Sequence, residues 1–434
     1  MKNLAYCCAA GAALTCYAGL GLAADGQTSD AEWAKINSLT WQAQGLTTRF
    51  PPLQDSILAD SGSWRSELAK HNIGIEPRIV INGITDFNQN NNKPKDSYVG
   101  QGGDLMAGTY FIDFVYGLDD LGLPNSKIMA CVNSTNSSVA GNPPNNTAVA
   151  CLSYFQTFLD KKVELKAGFE PNLYTYVGLF TGGDATLTNT LGSVIPVEAG
   201  LSDPVTTPPM VNLAYKGEDG FYARGGVQRS VSPNGRVYEV ENNGIGLDAS
   251  MEDAKVLYVS EVGIDRKPTP GGNRLWVRAG GVSNPTKYKA FEGGEESNKA
   301  YWALADYQVT QPDKSIPVHG LYVGASAMYA PSDVNLYTQN YEARMYYYGP
   351  FKSRPLDKVS FVVGKNVFSQ EAQDTLAARK IDTASTQLSA TAAYAMHVTR
   401  GVYLSSAVGY TKDPSFTADI NHALTFKLGL LFNF

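Results

Sequence analysis

The sequence predicts an all-β fold, a transmembrane antiparallel β-barrel of about sixteen strands with a short helical segment before it. Three observations predict it. The final residues alternate with a period of two, the connections between strand-like stretches alternate long and short, and charged residues recur inside those stretches. Counting back from the end, Phe434, Phe432, Leu430, Leu428, Phe426 and Leu424 share one face, while Asn433, Leu431, Gly429, Lys427 and Thr425 share the other. Residues 401–410 place Val402, Leu404, Val408 and Tyr410 opposite Tyr403, Ser405, Ala407 and Gly409. Between 341 and 349, Tyr341, Ala343, Met345 and Tyr347 oppose Glu342, Arg344, Tyr346 and Tyr348. A charged pair such as Glu342 and Arg344 suits a watery lumen better than a packed core.

Read this way, strands lie near 73–86, 103–116, 126–133, 149–158, 162–174, 209–217, 220–229 and 254–264. The second half adds 273–282, 299–309, 320–330, 340–349, 357–364, 386–398, 401–410 and 423–434. Long connections include 87–102, 134–148, 175–208, 230–253, 283–298 and 365–385, and short ones 159–161, 218–219 and 399–400. All the long ones fall at one end, which is the habit of outer-membrane barrels and has no counterpart in a soluble sandwich. Closure also leaves no unpaired edge in lipid.

Composition agrees. Formal net charge is -6 with 18% charged residues, the wrong sign for a nucleic-acid binder. No run of about 18 apolar residues follows the N-terminal stretch, so helical spans are not expected. Four His and no CxxC or HExxH spacing give no sign of a metal site or cofactor. Residues 1–24 read as a secretory leader: Lys2 begins it, an apolar stretch follows, and Ala23 and Ala24 precede polar residues. Residues 25–72 read as a periplasmic extension whose first part, 25–54, is polar enough for partial disorder and whose second, 55–72, forms a short helix. The barrel then occupies 73–434. Cys131 and Cys151 bracket a Ser/Asn/Pro-rich stretch read as a loop, and in an oxidising compartment the pair is expected to bond.

Several segments resemble the carbohydrate-selective porins of Gram-negative outer membranes, the OprB-like family. Residues 64–74 (WRSELAKHNIG) resemble the family's entry into its first strand, and residues 158–168 (FLDKKVELKAG) one of its turns. Residues 212–215 (NLAY) through 224–227 (RGGV) resemble its central hairpin. Most specific are Ala330-Pro331-Ser332-Asp333-Val334-Asn335 and the stretch from Gly349 to Asp357 (GPFKSRPLD). The chain departs from the pattern at Ser405–Pro414, which lacks the family's Gln-rich, NPG-bearing stretch. The resemblance implies a channel in the bacterial outer membrane, without catalytic machinery, for carbohydrates. A terminal Phe434 looks like the signal read by the barrel-assembly machinery.

Parity alone nominates the lumen side chains. Arg78, Arg224, Glu261, Arg278, Glu342 and Arg344 are inward charges of both signs, and Tyr222, Trp276 and Trp302 are inward aromatics. Mixed charge with aromatic faces fits a neutral sugar or polyol, held weakly enough to be released. The partners expected are therefore outer-membrane lipid, small solutes and the assembly machinery. Loop 175–208 is the candidate for insertion into the channel, through Gly182-Gly183-Asp184 and Glu198. Other readings at this level are a channel for organic acids or polysaccharide export, and a barrel-based enzyme using His397 with Ser389 or Ser405.

Overall fold

The computed structural model describes residues 28–46, 50–87, 103–138, 145–178, 194–417 and 421–434. The expected leader and Gly182-Gly183-Asp184 lie outside the described residues. The first eight strands are β1 (Ile73–Asp86), β2 (Gly103–Gly117), β3 (Ser126–Ser137), β4 (Asn146–Phe158), β5 (Val163–Phe169), β6 (Pro209–Lys216), β7 (Phe221–Arg229) and β8 (Val256–Arg266). The others are β9 (Leu275–Lys289), β10 (Glu295–Gln308), β11 (Gly320–Tyr329), β12 (Tyr337–Tyr348), β13 (Lys358–Phe368), β14 (Thr386–Thr399), β15 (Val402–Lys412) and β16 (His422–Asn433). Each pairs antiparallel with its chain neighbour, and β1 closes on β16 from Arg78↔Asn433 to Asp86↔Thr425. Among the described residues no helix is long and apolar enough to cross a membrane.

Alternation decides which side chains enter the barrel. Tyr110, Ile112, Leu213, Tyr258, Val262, Met345 and Val408 are exposed on the outer wall, while Asp113, Glu261, Arg278, Asp306, Arg344 and Lys427 are buried on the inner one. Both termini of the strand order lie at the end with the short turns. There the Ile57 N–H donates to Asn433 O at 2.8 Å and the Phe434 N–H to Pro77 O at 3.1 Å.

Two pieces of chain enter the interior. The first is residues 28–46 and 50–53, which include helix α1 (Asp30–Ser38); helix α2 (Trp64–Lys70) follows it at the short-turn end, before β1. Helix α1 opens on a capping box: Ser29 Oγ accepts from the Glu32 N–H, and the Glu32 carboxylate accepts the Ser29 N–H at 2.8 Å. Ile36, Leu39, Trp41, Leu46 and Leu53 pack with Val115, Met129, Cys131, Cys151 and Phe155 of the wall. The second is the connection from β5 to β6, with helices α3 (Asn172–Thr175) and α4 (Val194–Glu198). Its Leu173, Tyr176, Val177, Ile195 and Leu201 pack on Leu257, Val259, Val282, Trp302 and Met328.

Four expectations are corrected. Residues 28–46 and 50–54 are folded against the wall, because five apolar side chains spread among polar ones supply one buried face. Residues 132–150 are not a loop: Cys131 and Cys151 are directly opposed and bonded, and strand continues to Ser137 and resumes at Asn146. The polar Asn133 and Thr135 face inwards there, where polarity is in place. Residues 283–298 are mostly strand, a hairpin in which Lys289 stands opposite Glu295. The strand proposed for 162–174 ends at Phe169, since Pro171 has no N–H for the ladder and α3 begins at Asn172.

Candidate functional site

The inner wall of β7–β12 carries a row of alternating charges. Arg224 on β7 pairs with Glu261 on β8, and Arg278 on β9 stands 3.8 Å from the other oxygen of that carboxylate. On β12, Arg344 donates through Nε and Nη2 to the two oxygens of Asp306 at 2.9 and 2.8 Å, and through Nη1 to Glu342 at 3.2 Å. Hydroxyls and an indole finish the row. Tyr222 donates to Glu261 at 3.0 Å, Trp302 Nε1 to Glu261 at 2.8 Å, and Tyr346 to Asp306 at 3.0 Å. The guanidinium groups of Arg224, Arg278 and Arg344 balance the carboxylates of Glu261, Asp306 and Glu342, so the row has no net charge.

Three of these contacts skip a strand. Arg344 and Tyr346 reach Asp306 across β11, and Trp302 reaches Glu261 across β9. The residues passed over by Arg344 and Trp302 are Gly324 and Gly280. A methyl on Gly324 would stand 2.4 Å from Asp306 Oδ1 and 2.6 Å from Arg344 Nε; one on Gly280 would stand 2.6 Å from the Trp302 ring. Neither could carry a side chain without parting the pair beside it.

The row also holds the inserted connection in place. Arg224 Nη2 donates to Tyr176 O at 3.2 Å, and Arg278 Nη2 donates to Val177 O. Asn284 Nδ2 donates to Ala199 O at 2.9 Å, and the Glu198 carboxylate accepts the Tyr337 N–H at 3.4 Å. Burial pushes the Glu198 carboxyl up to about 8, against the opposing pull of that N–H. Across the barrel, Arg78 pairs with Asp113 and stands 4.0 Å from Glu76, its guanidinium 3.6 Å from the centre of the Phe50 ring. Trp41 Nε1 donates to Glu170 at 3.0 Å, and Ser153 and Lys166 bond the same carboxylate.

Of the nominated residues, the structure gathers Tyr222, Arg224, Glu261, Arg278 and Trp302 into one contact group. Trp276 joins it with Arg278 3.4 Å over its ring. Glu342 and Arg344 form the far end of the row through Asp306. Arg78 stands apart, beneath the N-terminal segment. Trp302 lies under the inserted connection rather than open to the channel. The loop carbonyls at Tyr176 and Val177 carried no sequence signal; Gly280 and Gly324 stand at inward parity, and only the strand register places them between Glu261 and Trp302 and between Asp306 and Arg344. His397 pairs with Asp55 at 2.9 Å, and among the described residues no serine hydroxyl is hydrogen-bonded to its ring. Nor do the described residues contain a group of His, Cys, Asp and Glu able to hold a metal.

A family model for the carbohydrate-selective porins of the OprB family matches residues 127–434, more than half of the chain. The chain belongs to that family. OprB of Pseudomonas putida, in a structure determined at high pH, superposes with a TM-score of 0.74 at 16% identity, over 86% of this chain and 97% of that one. Its low-pH structure gives 0.55 at 14% identity, over 87% and 98%. The outer-membrane channel DcaP of Acinetobacter baumannii gives 0.51 at 11% identity, over 83% and 97%. No curated protein sequence matches the chain. Family and fold indicate an OprB-type channel rather than an enzyme, on a barrel typical of bacterial outer membranes. In this OprB-family chain the charged row and the inserted connection together occupy the β7–β12 side of the lumen.

Proposed function

We propose that the chain is an outer-membrane porin for passive diffusion of sugars or other small neutral solutes. Residues 1–24 act as the export leader, residues 25–72 belong to the periplasmic end, and Phe434 is read by the barrel-assembly machinery. The observation that carries the reading is the charge-balanced row on β7–β12. Its guanidinium and carboxylate groups are buried and matched to one another, so this wall presents no field that would hold an ion. Tyr222, Trp276 and Tyr346 stand beside those groups, and Arg278 and Arg344 form part of the wall the solute passes. On the opposite wall Arg78 is shared by Asp113 and Glu76. The test is swelling of liposomes that contain the purified protein. Entry of a monosaccharide faster than an organic acid of similar size supports the reading; swelling no faster than in empty vesicles overturns it. Faster entry of the acid would favour a different substrate for the same channel.

A further inference from the structure

Below the charged row, on the short-turn side, lies a cavity of about 630 Å³. One wall comes from the N-terminal segment, with Asn37, Thr40, Gln42 and Phe50; the other comes from β5–β9, with Tyr222, Arg224 and Trp276. Its size is that of an ordinary small-molecule site. Its chemistry is also specific. The N-terminal wall contributes the amides of Asn37 and Gln42, and the barrel wall contributes aromatic rings beside charged groups held in ion pairs. Glu164 pairs with Lys216, and Asp265 is shared by Lys267 and Arg274. Amides beside aromatic surface suit hydroxyl groups and the C–H face of a pyranose ring. Tyr222, Arg224 and Trp276 line the cavity and also belong to the charged row, so the cavity abuts that row.

We propose that this cavity is a binding station on the solute path, where a pyranose is held between the N-terminal segment and β7–β9 before release, and that Asn37 helps set its specificity. The inference rests on the sugar-porin reading and adds that the N-terminal segment is a working wall of the path, in addition to its packing role. Asn37 suits that role. It is half-buried on α1 and lines the cavity.

The experiment is protection of an introduced thiol by sugar. Cys7, Cys8 and Cys16 leave with the proposed leader and Cys131 is bonded to Cys151, so in the processed protein Asn37→Cys supplies a single reactive group. A charged methanethiosulfonate reagent is expected to label it and to lower conductance in planar bilayers. Glucose is expected to slow that labelling by a factor of one plus its concentration over Kd, about threefold at twice Kd. Lys216→Cys, on the facing wall, is expected to show the same protection, and serves if Asn37→Cys does not fold. Lys70→Cys, exposed outside the barrel, is expected to show none. Labelling unaffected by glucose at both cavity positions, while liposomes carrying the unaltered protein swell in glucose, overturns the station and leaves the porin reading standing. Failure of every sugar to enter those liposomes removes both.

Discussion

At Gly324 a missing side chain does what no added one could. It leaves a window through which Arg344 and Asp306 meet across an intervening strand. Gly324→Val is expected to part that pair and lower barrel stability by about 1–3 kcal/mol, read as an earlier loss of the compact form on heating before electrophoresis. Gly225, also on the barrel wall, has an open neighbourhood and is a control: alanine there should change little. Glu198 gives a second test at this scale. Its folded-state value of about 8 stands above the ordinary 4.5, so the folded chain keeps a proton that the unfolded chain has released. Stability contributed at this position therefore falls as pH rises from about 4.5 to 8 and then levels off. Glu198→Gln is expected to match the parent at pH 4 and to grow progressively more resistant to proteolysis within 170–208 up to pH 8. An advantage independent of pH would contradict the burial argument.

Among the elements, the N-terminal segment and the β5–β6 connection differ from the strands in how they were legible. The strands announced themselves because each has one lipid-facing and one water-facing side, and a period of two records that directly. Trp41, Leu46 and Leu53 carry no such period. Trp41 and Leu53 lie on single short helical turns and Leu46 on a loop, and their burial depends on Met129 and Phe155, distant in sequence. The lumen charges were legible by parity, but their partners were not, since Arg224 and Arg278 also bind loop carbonyls that no side-chain pattern reveals. Where 132–150 was misread, composition was right about polarity and wrong about its cause: Asn133 and Thr135 are polar because they face the lumen. The buried Trp41 gives this scale its prediction. Trp41→Ala removes an indole that fills the contact with Tyr174 and donates to Glu170, at a cost of about 3–5 kcal/mol to docking of the segment. The expected result is a larger and noisier single-channel conductance from a barrel of unchanged strand content.

For the whole molecule, balance of charge is the property that matters. With the guanidinium and carboxylate groups of the row compensated, the open channel is expected to discriminate only weakly between potassium and chloride. A reversal potential near zero in a salt gradient would show it. Arg344→Gln leaves Asp306 and Glu342 without their shared cation, so the reversal potential should move towards that of potassium, most clearly at low ionic strength. A shift towards chloride would mean that these carboxylates do not face the permeating ions.

Cys131 and Cys151 join neighbouring strands on the inner wall, and Ile36, Leu39, Trp41, Leu46 and Leu53 pack in the same cluster, in which neither sulfur is accessible. A catalyst of thiol oxidation is far too bulky to enter a closed barrel. The sulfurs must therefore be joined while the hairpin is still open, during transit and ahead of membrane insertion. A molecule that closes too early carries two thiols for the rest of its life, sealed from oxidant and reductant alike, and alkylation after denaturation would count how many had done so.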